Sequence, residues 1–152
     1  MTTRCARLLS LALLLISEPS FATLGKKVES IESDRASIKA VQKVSSKTDL
    51  YTVHEMDDAG VSIKEFASSD GTVFAVSWRG IRKPDLSVLL GDFYQEYDSV
   101  ASQQEKLVSR RPTTVRTANV VVRKGGHMRD IRGKAFVPSL IPSGVNIEEL
   151  PQ

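Results

Sequence analysis

The sequence predicts an α+β domain, built as a largely antiparallel sheet of about five strands in the order α-βββ-α-ββ, with helices packed on one face. Three observations carry this reading. Residues 50–78 contain three short runs rich in Val, Ile, Phe, Tyr and Trp, parted by turn residues. Residues 86–100 set apolar side chains at helical spacing. Residues 115–137 return to strand-like composition on either side of Gly125-Gly126.

The first element in chain order lies outside that domain. Residues 1–22 read as a secretory signal peptide: Arg4 and Arg7 form a basic start, an apolar run extends from Leu8 to Ile16, and Ser20 and Ala22 are small residues placed for cleavage before Thr23. The run falls short of the roughly 20 residues that span a bilayer, and no second long apolar segment follows. Residues 23–152 are then expected to be one exported domain, long enough to bury a core unaided. Loss of the leader removes Cys5, the sole cysteine, so the mature chain can form neither a disulfide nor a thiolate metal site. It also lowers the formal charge from +3 to +2.

Residues 24–27 read as an extended arm. Ser30 suits a helix N-cap, with Glu32 and Asp34 in the first turn, and Ile31, Ile38 and Val41 continue a short amphipathic helix to about Gln42. Residues 44–49 read as a polar connector. Strands are expected at 50–56, 61–67 and 72–78, joined by turns at Gly60 and at Asp70-Gly71, a pair suited to positive φ. Leu86, Leu89, Leu90, Phe93, Tyr94, Tyr97 and Val100 share one face of a single helix that opens at Pro84-Asp85. Gly91 weakens that helix, and a close backbone contact would offset the loss. A strand at 115–123, a hairpin turn at Gly125-Gly126 and a returning strand at 127–137 complete the sheet. Pro138 and Pro142 stop further pairing, so 138–144 should be extended and packed, with the last residues mobile.

Phosphate-binding, dinucleotide, zinc-protease, nucleophile-elbow and calcium-loop patterns are absent, so no cofactor and no metal site is expected. If the turns at Gly60 and Gly71 are both tight, Met56 pairs with Ile63, His54 with Glu65, Glu65 with Val76, Ile63 with Trp78, and Ala67 with Phe74. One face then carries His54, Glu65 and Trp78. Such a pair beside an aromatic can serve acid–base chemistry or a ligand pocket, or can be an ordinary cross-strand pair. Trp78 is more commonly a core anchor than a binding platform. His127 and Arg129 follow the glycines and can form an anion contact, or simply begin a strand. Two histidines without ligand spacing make a poor zinc site.

Charge is uneven. Residues 23–100 hold 10 basic and 13 acidic side chains, whereas residues 101–152 hold 9 and 4. The excess runs from Arg110 to Lys134 and can meet an anionic envelope component or an acidic protein, or can be a solvated face. The leader argues against nucleic acid.

Several strings then fall together: Tyr51-Thr52-Val53-His54-Glu55, Phe74-Ala75-Val76-Ser77-Trp78, Pro84-Asp85-Leu86, Gly125-Gly126-His127-Met128-Arg129, and Pro138-Ser139-Leu140-Ile141-Pro142. With them the chain resembles a bacterial exported family known as domain of unknown function 2844, over nearly all of residues 23–152. Lys26-Lys27 departs from the Gly-rich stretch of that family after Leu24. The resemblance implies an exported bacterial domain and brings no activity, cofactor or catalytic residue. The reading that follows is a non-enzymatic periplasmic binding or assembly module with an unidentified protein or anionic partner. The alternative is a small periplasmic enzyme or ligand-binding protein using His54, Glu65, His127 and Arg129.

Overall fold

A computed structural model describes residues 24–27, 41–104 and 112–152. Seven strands form one antiparallel sheet: β1 (Val41–Lys47), β2 (Tyr51–Asp58), β3 (Val61–Ser68), β4 (Val73–Gly80), β5 (Thr113–Arg116), β6 (Val121–His127) and β7 (Asp130–Phe136). Their spatial order is β1-β2-β3-β4-β7-β6-β5. The helical segment between β4 and β5 comprises α1 (Leu86–Leu90), a 3-10 turn over Gly91–Phe93, and α2 (Tyr94–Gln104). The α+β class holds; the expected five strands become seven.

Both extra strands have physical reasons. Residues 30–40 of the expected first helix lie outside the described residues, but Val41 and Gln42 belong to β1, as does most of the expected connector. Pairing with β2 gives this polar stretch its ladder partners, so tertiary contact overrides local propensity. Ser46 and Lys47 are exposed, as suits an edge strand that must resist further pairing. The single strand expected at 115–123 is two. Thr117 closes a turn, its Oγ1 donating to the Val120 carbonyl and accepting from the Val120 amide. Glu96 of α2 accepts from the Asn119 amide and side chain, which fixes the turn against the helix.

The central register follows the sequence. Asp58 pairs with Val61 around Ala59-Gly60, both at positive φ, so Met56 meets Ile63 and His54 meets Glu65. Across β3–β4, Ile63 pairs with Trp78 and Glu65 with Val76, but Ala67 pairs with Val73 rather than Phe74. The loop is three residues, Ser69-Asp70-Gly71, closed by the Gly71 amide on the Ser68 carbonyl. A bulge at Phe74 absorbs the added residue and restores the expected pairing beyond it. It also lets Phe74 and Ala75 join the same apolar cluster.

The predicted helix is divided at Gly91, which adopts φ 48° and ψ −118°. The positive φ gives this position a use for glycine. Asp85 caps α1 by accepting from the Ser87 amide at 2.9 Å. Leu89, Leu90 and Tyr97 are buried against Val61, Ile63, Val76, Trp78, Val115 and Val122 on one face of the sheet. Leu24 completes this core. Its amide donates to the Leu89 carbonyl, and Gly25 and Lys26 bond to Val73 of β4.

The opposite face is covered by residues after β7. Their 3-10 turns span Pro138–Leu140 and Ile147–Glu149, where an extended segment and a mobile end were expected. Ile147 and Leu150 are buried with Phe66, Phe74, Val121 and Phe136. A row of neighbouring side chains across the sheet, Lys64–Ser77–Lys134–Arg123, secures this segment. Lys64 donates to the Gln152 carbonyl, Ser77 to that of Pro151, and Lys134 to those of Ile147 and Leu150.

Candidate anion-binding cleft

At the β5 side of the sheet this segment forms one wall of a cleft of about 450 Å³. Its lining includes Thr114, Arg123, Gly125, Arg132, Lys134 and Glu148. Strand alternation builds it. Arg123 is opposite Lys134, and Gly125 is opposite Arg132, so the three cations project from one face of the β6–β7 pair. Gly125 puts no side chain between them, and Pro112 lies against it; a Cβ there would meet Pro112 at 3.3 Å.

The cations are unevenly neutralised. Arg123 pairs with Glu148 and lies over the Phe136 ring, 5.5 Å from its centroid. Arg79 and Arg132 share Asp130, with Arg79 Nε donating at 2.9 Å. The Arg79 hydrogen bond, aided by Arg132, holds the Asp130 carboxyl below its ordinary range. Arg123 does the same for Glu148. Lys134 is buried, and desolvation pushes its ammonium below the usual lysine value, as does repulsion from Arg123, while Glu148 draws it upward. Among the described residues that line the cleft, Arg123, Lys124, Arg132 and Lys134 thus outnumber the one side-chain carboxylate, Glu148.

The residues singled out in the sequence do not converge. His54, Glu65 and Trp78 lie on the helix-covered face, with His54 and Glu65 in register and Trp78 two residues beyond Val76, the other partner of Glu65. Glu65 and Trp78 are buried, whereas His54 is half-buried. His127 and Arg129 sit at the exposed tip of the β6–β7 hairpin. Three strands separate β2 from β6, at least about 19 Å at ordinary strand spacing. A single pocket using His54, Glu65, His127 and Arg129 is therefore ruled out.

The hairpin turn also moves. Gly125 and Gly126 are within β6, and the turn is Met128-Arg129 between the paired His127 and Asp130. Gly126 is required all the same: its φ is 114°, and a Cβ would fall 2.1 Å from the Asp130 carbonyl oxygen. Arg129 takes φ 68°, a conformation that ordinarily favours Gly or Asn. The cleft residues Arg123, Arg132 and Lys134 were visible only as part of the basic excess. The two-residue interval between Arg132 and Lys134 in β7 was the signal that these two share a face; Arg123 joins them through the β6–β7 register.

Among the described residues no group of three or more His, Cys, Asp or Glu side chains is arranged to hold a metal ion. No helix among them is long and apolar enough to cross a membrane. Fold and site together define an α+β domain with both sheet faces covered and a basic cleft at one side. The chain belongs to the family described as Protein of unknown function (DUF2844), whose profile matches residues 20–150. Comparison with curated proteins found no match, and comparison with solved structures found none.

Proposed function

We propose that this protein is a non-enzymatic binding module of the bacterial periplasm that holds an anionic ligand in the β5–β6–β7 cleft. The excess of cations over carboxylates in that cleft is the observation that carries the reading. Its volume of about 450 Å³ lies in the range of sites for small molecules or headgroups, roughly 300–1,000 Å³. Arginine forks, preformed by strand pairing and by stacking on Phe136, suit oxyanions better than flexible lysines would. The leader pattern in residues 1–22 supports export, and the basic surface then has envelope anions as accessible partners.

Calorimetric titration of the mature domain with inorganic phosphate and with citrate, at low and high salt, tests the binding. Saturable binding that weakens with salt is expected. Absence of heat and of thermal stabilisation with both anions at low salt defeats the reading. Cell fractionation tests the compartment: the expected product is periplasmic and begins at Thr23. Cytoplasmic protein retaining Met1 would overturn export.

A further inference from the structure

We infer that the cleft recognises a phosphate-type oxyanion and that Glu148 is its built-in competitor; this rests on the anion-binding reading above. Glu148 already places a carboxylate on Arg123. Its side chain is 65% exposed, whereas its neighbours Ile147 and Leu150 are buried and anchored through their carbonyls to Lys134. The Glu148 side chain can therefore leave Arg123 by rotation, while the backbone that carries it stays in place. A ligand need not unfold this segment to enter; it exchanges one oxyanion for another on the same guanidinium.

The geometry favours more than a second carboxylate. Arg123 and Arg132 are diagonal neighbours on adjacent strands, about 7–8 Å apart at their side-chain bases, with Gly125 between them on the same face. Arg132 is held toward Asp130 and Arg123 toward Glu148 and Phe136, so a ligand between them needs oxygens for two separate forks; a tetrahedral group offers three oxygens, whereas one carboxylate satisfies one fork. A phosphate monoester carries a charge of roughly −1.5 to −2 at neutral pH. With Glu148 displaced, about three positive charges remain when Asp130 alone is set against Arg79, Arg123, Arg132 and Lys134, and a group of that charge offsets most of them. Arg132 contacts Asp130 through one nitrogen, Nη2, and its side chain is 44% exposed.

The test compares the wild-type domain with Glu148→Gln, Arg123→Gln and Arg132→Gln. Inorganic phosphate, glycerol phosphate and acetate are titrated, alongside vesicles containing phosphatidylglycerol. Removing the competing charge should tighten phosphate binding about two- to five-fold, the scale of an exposed ion pair. Each arginine variant should weaken it about ten-fold or more, as expected for a charged hydrogen-bonding group. Circular dichroism confirms folding, and Arg132→Gln serves if loss of the Phe136 stacking contact unfolds Arg123→Gln. Wild-type binding that Glu148→Gln does not tighten overturns the competitor role and leaves the anion site standing. No anion binding to either protein overturns both. Acetate bound as well as phosphate overturns the tetrahedral preference. Preference for glycerol phosphate or for vesicles supports the site and identifies a soluble or a lipid source of the phosphate group.

Discussion

Gly133 and Trp78 show how much one missing methyl group can decide. The Trp78 ring lies where a Cβ on Gly133 would fall, 2.2 Å from its Cζ2. The side chain is buried, so the ring has little room to retreat. Gly133→Ala should cost about 2 kcal/mol or more through overpacking, read as a lower urea midpoint with little change in slope. An unchanged midpoint would show that the ring shifts freely. Trp78 was legible as a core anchor, because a lone tryptophan in an apolar strand commonly is one. Lys134 was not: a lysine in a strand ordinarily faces water, and only the folded tail supplies two carbonyls for its ammonium. The burial of Glu65 was equally invisible, since the helical cover over its face is a long-range feature.

At the scale of elements, hairpins with turn chemistry in the sequence were readable, and those without it were not. Asp70 illustrates the first kind. Its carboxylate accepts from Ser68 Oγ at 2.5 Å and Thr72 Oγ1 at 2.7 Å, holding its pKa at about 2, below the ordinary 3.8. The Ser68 bond is the largest cause, followed by Thr72. A folded pKa below the unfolded one means that the stabilisation is full above about 3.8 and disappears as pH falls towards 2. Asp70→Asn should therefore melt below wild type near neutral pH, with the gap narrowing as pH falls through this window. A gap independent of pH would refute the assignment. The Met128-Arg129 turn is the second kind. Neither residue signals a turn, and the adjacent glycines drew attention three residues too early. Gly126 answers to the approach of Asp130 instead. Likewise, β1 and β5 are short or polar edge strands whose pairing is set by β2 and β6, not by their own propensity.

Across the whole molecule, the sheet requires two separate covers. The helical segment and Leu24 protect one face, and residues 138–152 protect the other. The helical cover was legible from its apolar stripe. The second cover lacks periodicity, being two 3-10 turns with buried Ile147 and Leu150, so only the finished sheet gives it a place to bind. Leu150→Ala should destabilise the domain by about 2–5 kcal/mol, measured by chemical denaturation. A change under about 0.5 kcal/mol, the scale of an ordinary surface substitution, would mean that this cover is ornamental to stability.

The sheet order also sets a timetable for folding. The β1–β4 and β5–β7 meanders are each made of sequence neighbours, whose hairpins form in about 1–10 μs. The β4–β7 seam instead joins Gly80 to Ile131 and Ala75 to Phe136, across the entire helical excursion. Loop-closure entropy falls on this one junction, so two independently nucleated halves must meet there before the domain becomes cooperative. Substitutions along the seam should slow refolding, whereas those at the hairpin tips should act chiefly on unfolding.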